Sequence, residues 1–236
     1  MMVNDDKKIE ERLTDISKPT GILMPKSGDS TVISYEYQKI EKQKPSLLLH
    51  SCCGPCSTAV VERLVRDFKI SIFFCNSNID DSDEYEKRLS AQKDFVNSYN
   101  SSPSCVDTIT LIVGRYNPQE FLQKIKGREN DPEGGKRCAI CMASRLEQTA
   151  DFASLNGFEC FTTTLSVSPH KNNELISSIG KDLMLRYGVF FLAEDFKKKD
   201  GYKRSVELSK AYGLYRQNFC GCSFSKKEAM NRNGLK

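Results

Sequence analysis

Seven of the ten cysteines in this 236-residue chain fall into three tight groups: Cys52, Cys53 and Cys56; Cys138 and Cys141; Cys220 and Cys222. Thiolates are soft ligands that suit zinc or iron–sulfur clusters. A structural zinc or a cubane cluster takes about four protein ligands, so seven clustered thiols exceed the needs of one centre. Cys52 and Cys53 are adjacent, and neighbouring side chains in extended backbone point in opposite directions. That pair serves two sites more easily than one. On ligand type alone, zinc held by Cys138, Cys141, Cys220 and Cys222 is as good a reading as an iron–sulfur cluster, and the surplus thiols tip the balance towards iron–sulfur plus a second metal. The Cys138–Cys141 spacing also suits a dithiol redox pair at a helix N-terminus, where thiolates are stabilised. Cys75, Cys105 and Cys160 stand alone and read as small buried hydrophobes.

The groups need a scaffold that brings distant segments together. Leu47–Leu49 is a short apolar run ending in His50 and Ser51; the thiols and Gly54-Pro55 follow, then a helix-like stretch from Ser57 to Phe68. This reads as strand, tight turn and helix. Further β-rich runs at Ile70–Cys75, Thr108–Val113, Phe158–Thr162 and Val189–Leu192 alternate with helical stretches around 83–98, 118–126, 138–155, 172–187 and 202–212. That rhythm implies an α/β fold, a mostly parallel sheet with helices on both faces, whose ligands bind at the carboxyl ends of the strands. No helix is expected beyond Tyr212. Residues 1–44, rich in charge and carrying Pro19, Gly21, Pro25 and Gly28, read as an N-terminal extension with a helix around Ile33–Glu41. Residues 45–236 read as one metal-binding catalytic domain.

The composition, 39% hydrophobic and 28% charged, suits a globular protein long enough to form a core without disulfides. No apolar run reaches membrane-spanning length, and MMVNDDKKIEERL has no apolar signal segment. The expectation is a cytoplasmic protein with reduced thiols and no membrane partner. A net charge of +4, from 35 basic and 31 acidic residues, permits an RNA partner without requiring one.

Five stretches, LLLHSCCGPCS, FFCNSNIDDSDEYEKR, GGKRCAICMASRLEQTA, TTTLSVSPHKN and LYRQNFCGCSFS, occur in that order. Together they resemble the QueH family of epoxyqueuosine reductases, from Leu47 to Ser225. The resemblance implies a HUP/Rossmann-like domain with five strands in the order 3-2-1-4-5. It implies an oxidoreductase of tRNA processing that reduces epoxyqueuosine at the anticodon wobble position to queuosine, the last step of queuosine biosynthesis, without cobalamin. It further implies a [4Fe-4S] cluster and an additional mononuclear iron. Cys52, Cys53, Cys138, Cys141, Cys220 and Cys222 match metal ligands, and Cys56 matches a position that is Cys in many members and Asp in some. Which thiol holds which metal stays open. Where the family usually has NPNI, this chain has Asn76-Ser77-Asn78-Ile79. In HUP enzymes that bind ATP, glycines stand where Cys52 and Cys53 are, so ATP is not expected.

Such a reduction needs two electrons from an unidentified donor and two protons. His50, at the end of the first strand, is a candidate proton donor, with buttressing of the turn as its other reading. Tyr85, Asp80 and Asp81 are weaker candidates, the two aspartates also reading as helix caps. Arg137, Arg145, Lys171, Asn172, Arg216 and Gln217 flank the cysteine groups or the crevice and are candidates for substrate binding. The run Lys197–Arg204 reads either as a phosphate grip or as a solvated helix start. Two other functions fit the same residues: a zinc-stabilised nucleic-acid-binding protein, and a cytosolic thiol–disulfide oxidoreductase.

Overall fold

An unbroken apolar strand must be covered on both faces, and the Leu47–Leu49 strand lies at the centre of the sheet. The computed structural model describes residues 43–234. In it, β1 (Ser46–His50), β2 (Lys69–Phe74), β3 (Thr110–Val113), β4 (Cys160–Thr163) and β5 (Phe190–Phe191) form an all-parallel sheet in the order β3-β2-β1-β4-β5. Around it lie α1 (Gly54–Leu64), α2 (Ser82–Asn100), α3 (Pro118–Lys124), α4 (Lys136–Leu155), α5 (Asn173–Tyr187), α6 (Gly201–Ala211) and α7 (Ser223–Gly234). A 3-10 turn, Thr164–Val167, occupies part of the segment expected to be loop. The helix expected around Ile33–Glu41 lies outside the described residues. Among the described residues no helix is long and apolar enough to cross a membrane.

Side-chain alternation along each strand divides the core. Leu47 and Leu49, level with Ile70 and Ile72, pack with Val60 and Val61 of α1 and Phe95 of α2. Leu48, level with Phe161, packs on the other face with Met142, Leu146 and Ala150 of α4 and Ile176 and Leu183 of α5. Crossover helices return antiparallel to the strands, so α1 and α4 begin at the carboxyl edge of the sheet.

Two differences from the sequence expectation matter for the site. The first helix starts at Gly54 rather than Ser57, which makes Cys53 its N-cap and sets Cys56 in its first turn. Pro55 is pre-set for that position, having no N–H to lose. The second difference is α7, which the pattern did not suggest. Its sequence has few apolar residues to form a stripe. Phe224 packs against Phe121 and Ile125, and polar ties add to it: Asp80 accepts from Ser223 N at 2.7 Å and Ser223 Oγ at 2.6 Å, and Lys226 Nζ donates to Asp81 at 2.9 Å.

Gly54 is required by packing rather than by its dihedrals. A Cβ there would stand 2.6 Å from the Ala91 carbonyl oxygen of α2. Because backbone rather than a flexible side chain blocks the space, Gly54→Ala should lower stability by roughly 1–3 kcal/mol. Urea unfolding should show this as a lower midpoint at an unchanged slope.

Candidate metal centre

The turn after β1 is braced from three sides. Ser51 N donates to Phe73 O at 2.9 Å. The Ser51 hydroxyl donates to Gln92 Oε1 of α2 at 2.6 Å, and the Ser57 hydroxyl reaches the same oxygen at 2.9 Å. Cys52 N donates to Thr164 Oγ1 at 3.1 Å, joining the loops after β1 and β4. These loops flank the point where strand order reverses, the usual ligand crevice of such sheets.

That bracing brings three thiols together. Cys52 Sγ stands 3.8 Å from Cys53 Sγ, and the sulfur atoms of Cys52, Cys53 and Cys56 all lie within 4.8 Å of one another. Two sulfurs each about 2.3 Å from one tetrahedral ion stand about 3.8 Å apart. Thiols this close cannot all ionise unaided. Hydrogen bonds from Cys53 and Cys56 hold Cys52 well below the usual thiol range, against the opposing effect of burial. Hydrogen bonding to Cys52 in turn pushes Cys53 up to about 12 and Cys56 well above its ordinary value. A bound cation removes the conflict by neutralising the set.

The other four clustered thiols share a second, narrow hollow. Cys138 lies in the first turn of α4 and Cys141 follows about one turn on; Cys220 and Cys222 precede α7, and all four line the hollow with Asn78, Arg137, Arg145 and Lys171. Among the described residues, no three of these four sulfurs come within 4.8 Å of one another. Asn78 Oδ1 and Arg145 Nε are buried there without a hydrogen-bond partner. Gly221 supplies the bend between Cys220 and Cys222 at φ +139°, and a Cβ on it would press on Arg88 and Ile79 at 3.1 Å. The buried Arg88 pairs with Glu84 at 2.6 Å and donates to Cys220 O at 2.9 Å and Phe219 O at 3.2 Å, fastening this turn to α2.

The two thiol sets adjoin. Cys52, Cys53 and Cys56 open on a cavity of about 510 Å³, and Cys220, Arg145 and Lys171 line both that cavity and the narrow hollow. Arg145 is only 5% exposed and donates to Asn76 Oδ1 at 2.5 Å, while Asn76 Nδ2 donates to Ser51 O at 2.8 Å. Burial opposes the Arg145 charge, but Cys141, Cys52 and Cys220 outweigh it and hold the group ionised. Lys171 Nζ donates to Cys220 Sγ at 3.0 Å. Burial would lower its pKa, yet the Cys220 sulfur raises it. Cys141, by contrast, is pushed up to about 12, chiefly by burial.

Arg145, Lys171, Arg216 and Gln217 stand on the cavity wall. Arg137 lines the narrow hollow rather than the large cavity, and Asn172 lines neither. Arg137 donates to Glu129 O at 2.8 Å and to Asp131 O, pairs with Glu228 at 3.1 Å and lies over Phe224, riveting the start of α4 to α7. Asn172 is exposed and caps α5 by accepting from Leu175 N at 3.1 Å. Asp81 caps α2, and Tyr85 packs against Phe74 and Tyr116 away from the cavity. Cys75 and Cys160 are buried in the two main cores, with Cys105 packed against one of them. Ser77, where the family usually has proline, accepts from Asn117 N at 3.0 Å. Residue-by-residue reasoning missed Asn76, Arg88, Thr164 and His170, the last on the cavity wall. All four lie inside the quoted motifs, which was the available signal.

The description "Epoxyqueuosine reductase QueH" belongs to the family model that matches residues 47–228. The chain belongs to the epoxyqueuosine reductase QueH family. A relative of that name from Streptococcus pyogenes serotype M1 is 41% identical over 187 residues, 79% of this chain and 72% of the relative. One from Staphylococcus epidermidis is 40% identical, covering 78% of this chain and 77% of its own. One from Thermotoga maritima is 37% identical, covering 80% and 94%. Membership of the QueH family makes the chain an enzyme, an oxidoreductase, and the matched span contains all seven clustered cysteines.

In this QueH-family chain His50 lies under the site rather than on the cavity wall. It is fully buried, with Nδ1 2.7 Å from Thr163 Oγ1 and Nε2 unpartnered. Burial, reinforced by the charge of Arg145, lowers its pKa from 6.5 to about 3. The unfolded chain therefore takes up a proton below pH 6.5 that the folded chain refuses until about pH 3, so stability falls as pH falls through this window. Between pH 7 and pH 5 the wild type should lose about 2 kcal/mol more than His50→Gln does, as read by urea unfolding of both metal-free proteins.

Proposed function

We propose that this chain reduces the epoxide of epoxyqueuosine in the tRNA anticodon loop to the alkene of queuosine, and that residues 45–236 are the catalytic unit. The observation that carries this reading is that the two thiol sets adjoin, the tight set opening on the large cavity and Cys220 of the other set lining both that cavity and the narrow hollow, in a chain of this family. The wider set, Cys138, Cys141, Cys220 and Cys222, suits a [4Fe-4S] cluster, whose body is larger than a single ion. The unpartnered Arg145 Nε and Asn78 beside it are consistent with a further group in that hollow. The tight set, Cys52, Cys53 and Cys56, would hold one iron beside the cavity that these residues line.

Converting an epoxide to an alkene breaks two C–O bonds, takes up two electrons and two protons, and releases water. The cluster supplies single electrons and the iron Lewis acidity when they are bound. The rest falls to the chain itself. Arg145 and Lys171 set N–H donors on the cavity wall where negative charge develops on the departing oxygen. Both are held in place beforehand, Arg145 by Asn76 and Lys171 by Cys220. His50, neutral and sealed, props the β1 turn against β4 through Thr163. His170 also lines the cavity. The substrate tRNA and the need for a separate electron donor suit a cytoplasmic enzyme.

Protein loaded with iron and sulfide without oxygen should convert epoxyqueuosine-tRNA when a low-potential reductant is added. Cys138→Ala should lose acid-labile sulfide and the broad visible absorbance. Cys53→Ala should keep the sulfide and lose only the iron in excess of it. Turnover should vanish in both. A colourless zinc protein, or a Cys53→Ala variant that still turns over, contradicts the reading.

A further inference from the structure

The large cavity extends past the thiols to a surface that the reduction itself does not use. Tyr202, in the first turn of α6, and Arg216 both line it, and the Arg216 guanidinium lies 5.4 Å from the centre of the Tyr202 ring. Tyr202 keeps 42% of its surface exposed. The pair is also fixed in place. A Cβ on Gly201 would stand 1.7 Å from Phe196 O, so the start of α6 is pressed onto the buried Phe196 with no slack. Arg63 Nη2 donates to Lys198 O at 2.9 Å and fastens the preceding loop. Arg216 Nη1 donates to Ser209 Oγ at 3.4 Å, and among the described residues Arg216 has no carboxylate partner. Next to it, Gln217 lines the same cavity, and its buried Oε1 has no hydrogen-bond partner.

A planar cation backed by an aromatic ring, beside an unused amide acceptor, matches the chemistry of a splayed nucleobase. Such bases stack on aromatic rings and guanidinium planes and are held by hydrogen bonds at their edges. We infer that Tyr202 and Arg216 form a stacking platform for the loop base next to the reacting nucleoside, with Gln217 Oε1 accepting from a base N–H. The inference rests on the reading of the substrate as an anticodon loop. Lys198, Lys199 and Lys203, none of which forms an ion pair among the described residues, lie close to Tyr202 in sequence and would supply charge for the backbone phosphates.

The test uses metal-loaded protein and an anticodon stem-loop RNA with 2-aminopurine beside the wobble position. The wild type should bind it and quench its fluorescence. Tyr202→Ala should lose the quench and bind roughly 5- to 100-fold more weakly, whereas Tyr202→Phe should stay within about twofold. Arg216→Lys keeps the charge but not the plane and should also lose the quench. Metal content and urea midpoint of each variant show whether it is folded. Unchanged binding and quenching in Tyr202→Ala, or wild-type behaviour in Arg216→Lys, overturns the platform while leaving the tRNA reading intact. A wild type that binds no stem-loop at all sinks both. A wild type that binds and quenches but never reduces the epoxide sinks only the reductase reading.

Discussion

Crowding of negative charge is the constraint on which this structure turns. Two thiolates at the 3.8 Å separation of Cys52 and Cys53 repel by about 4 kcal/mol at the effective dielectric of a protein surface. Hydrogen bonding and burial keep Cys53, Cys56 and Cys141 protonated, but ligation would put all seven in the thiolate form, and such a set needs compensation. Helix ends give some: Cys53 caps α1, Cys138 lies in the first turn of α4 and Cys222 directly precedes α7. A helix N-terminus stabilises an anion by about 0.3–1 kcal/mol, and up to about 2 in buried geometry, which is less than one close thiolate pair costs. Buried cations must do more, and Arg145 and Lys171 stand where the two sets meet. Bound metal would complete the compensation.

The fold follows from the need to bring three remote segments to that meeting point. Placing β1 between β2 and β4 sets the thiol turn beside both Asn76 and Thr164. The close approach of α1 to α2 at Gly54 fixes the start of α1, and Gln92 locks the serines beneath it. The third segment has no strand to carry it. Arg88, an arginine buried with its Glu84 partner, reaches out of α2 to hold the carbonyls of Phe219 and Cys220, and α7 closes behind through Asp80 and Asp81. Removing one partner of a buried ion pair typically costs about 3–5 kcal/mol, so this fastening is stiff.

Much of this was legible in the sequence. The β-rich runs and the helices between them revealed the parallel sheet because buried parallel strands are nearly all apolar, as Leu47–Leu49 is. The resemblance carried the strand order. The seven clustered thiols were evident from spacing alone. The missing parts share a physical reason: they depend on polar contacts between segments far apart in the chain, which leave no periodic mark. The α7 helix has no apolar stripe, and beyond the single anchor Phe224 its docking rests on Asp80, Asp81 and Arg137. Arg137 looked like a substrate contact because it adjoins Cys138, yet Glu129, Asp131 and Glu228 occupy it. His50 looked like an acid because it ends the strand nearest the thiols, but its burial, invisible in one dimension, leaves it unprotonated.

Mössbauer spectroscopy of protein enriched in iron-57, purified without oxygen, tests the central claim most directly. Two thiol sets of different width, balanced by the same two cations, predict two spectral components of roughly 4:1 area: a sulfide-bridged cluster and a separate thiolate-bound ferrous ion. A single component, or a protein whose thiols hold only zinc, would contradict the account.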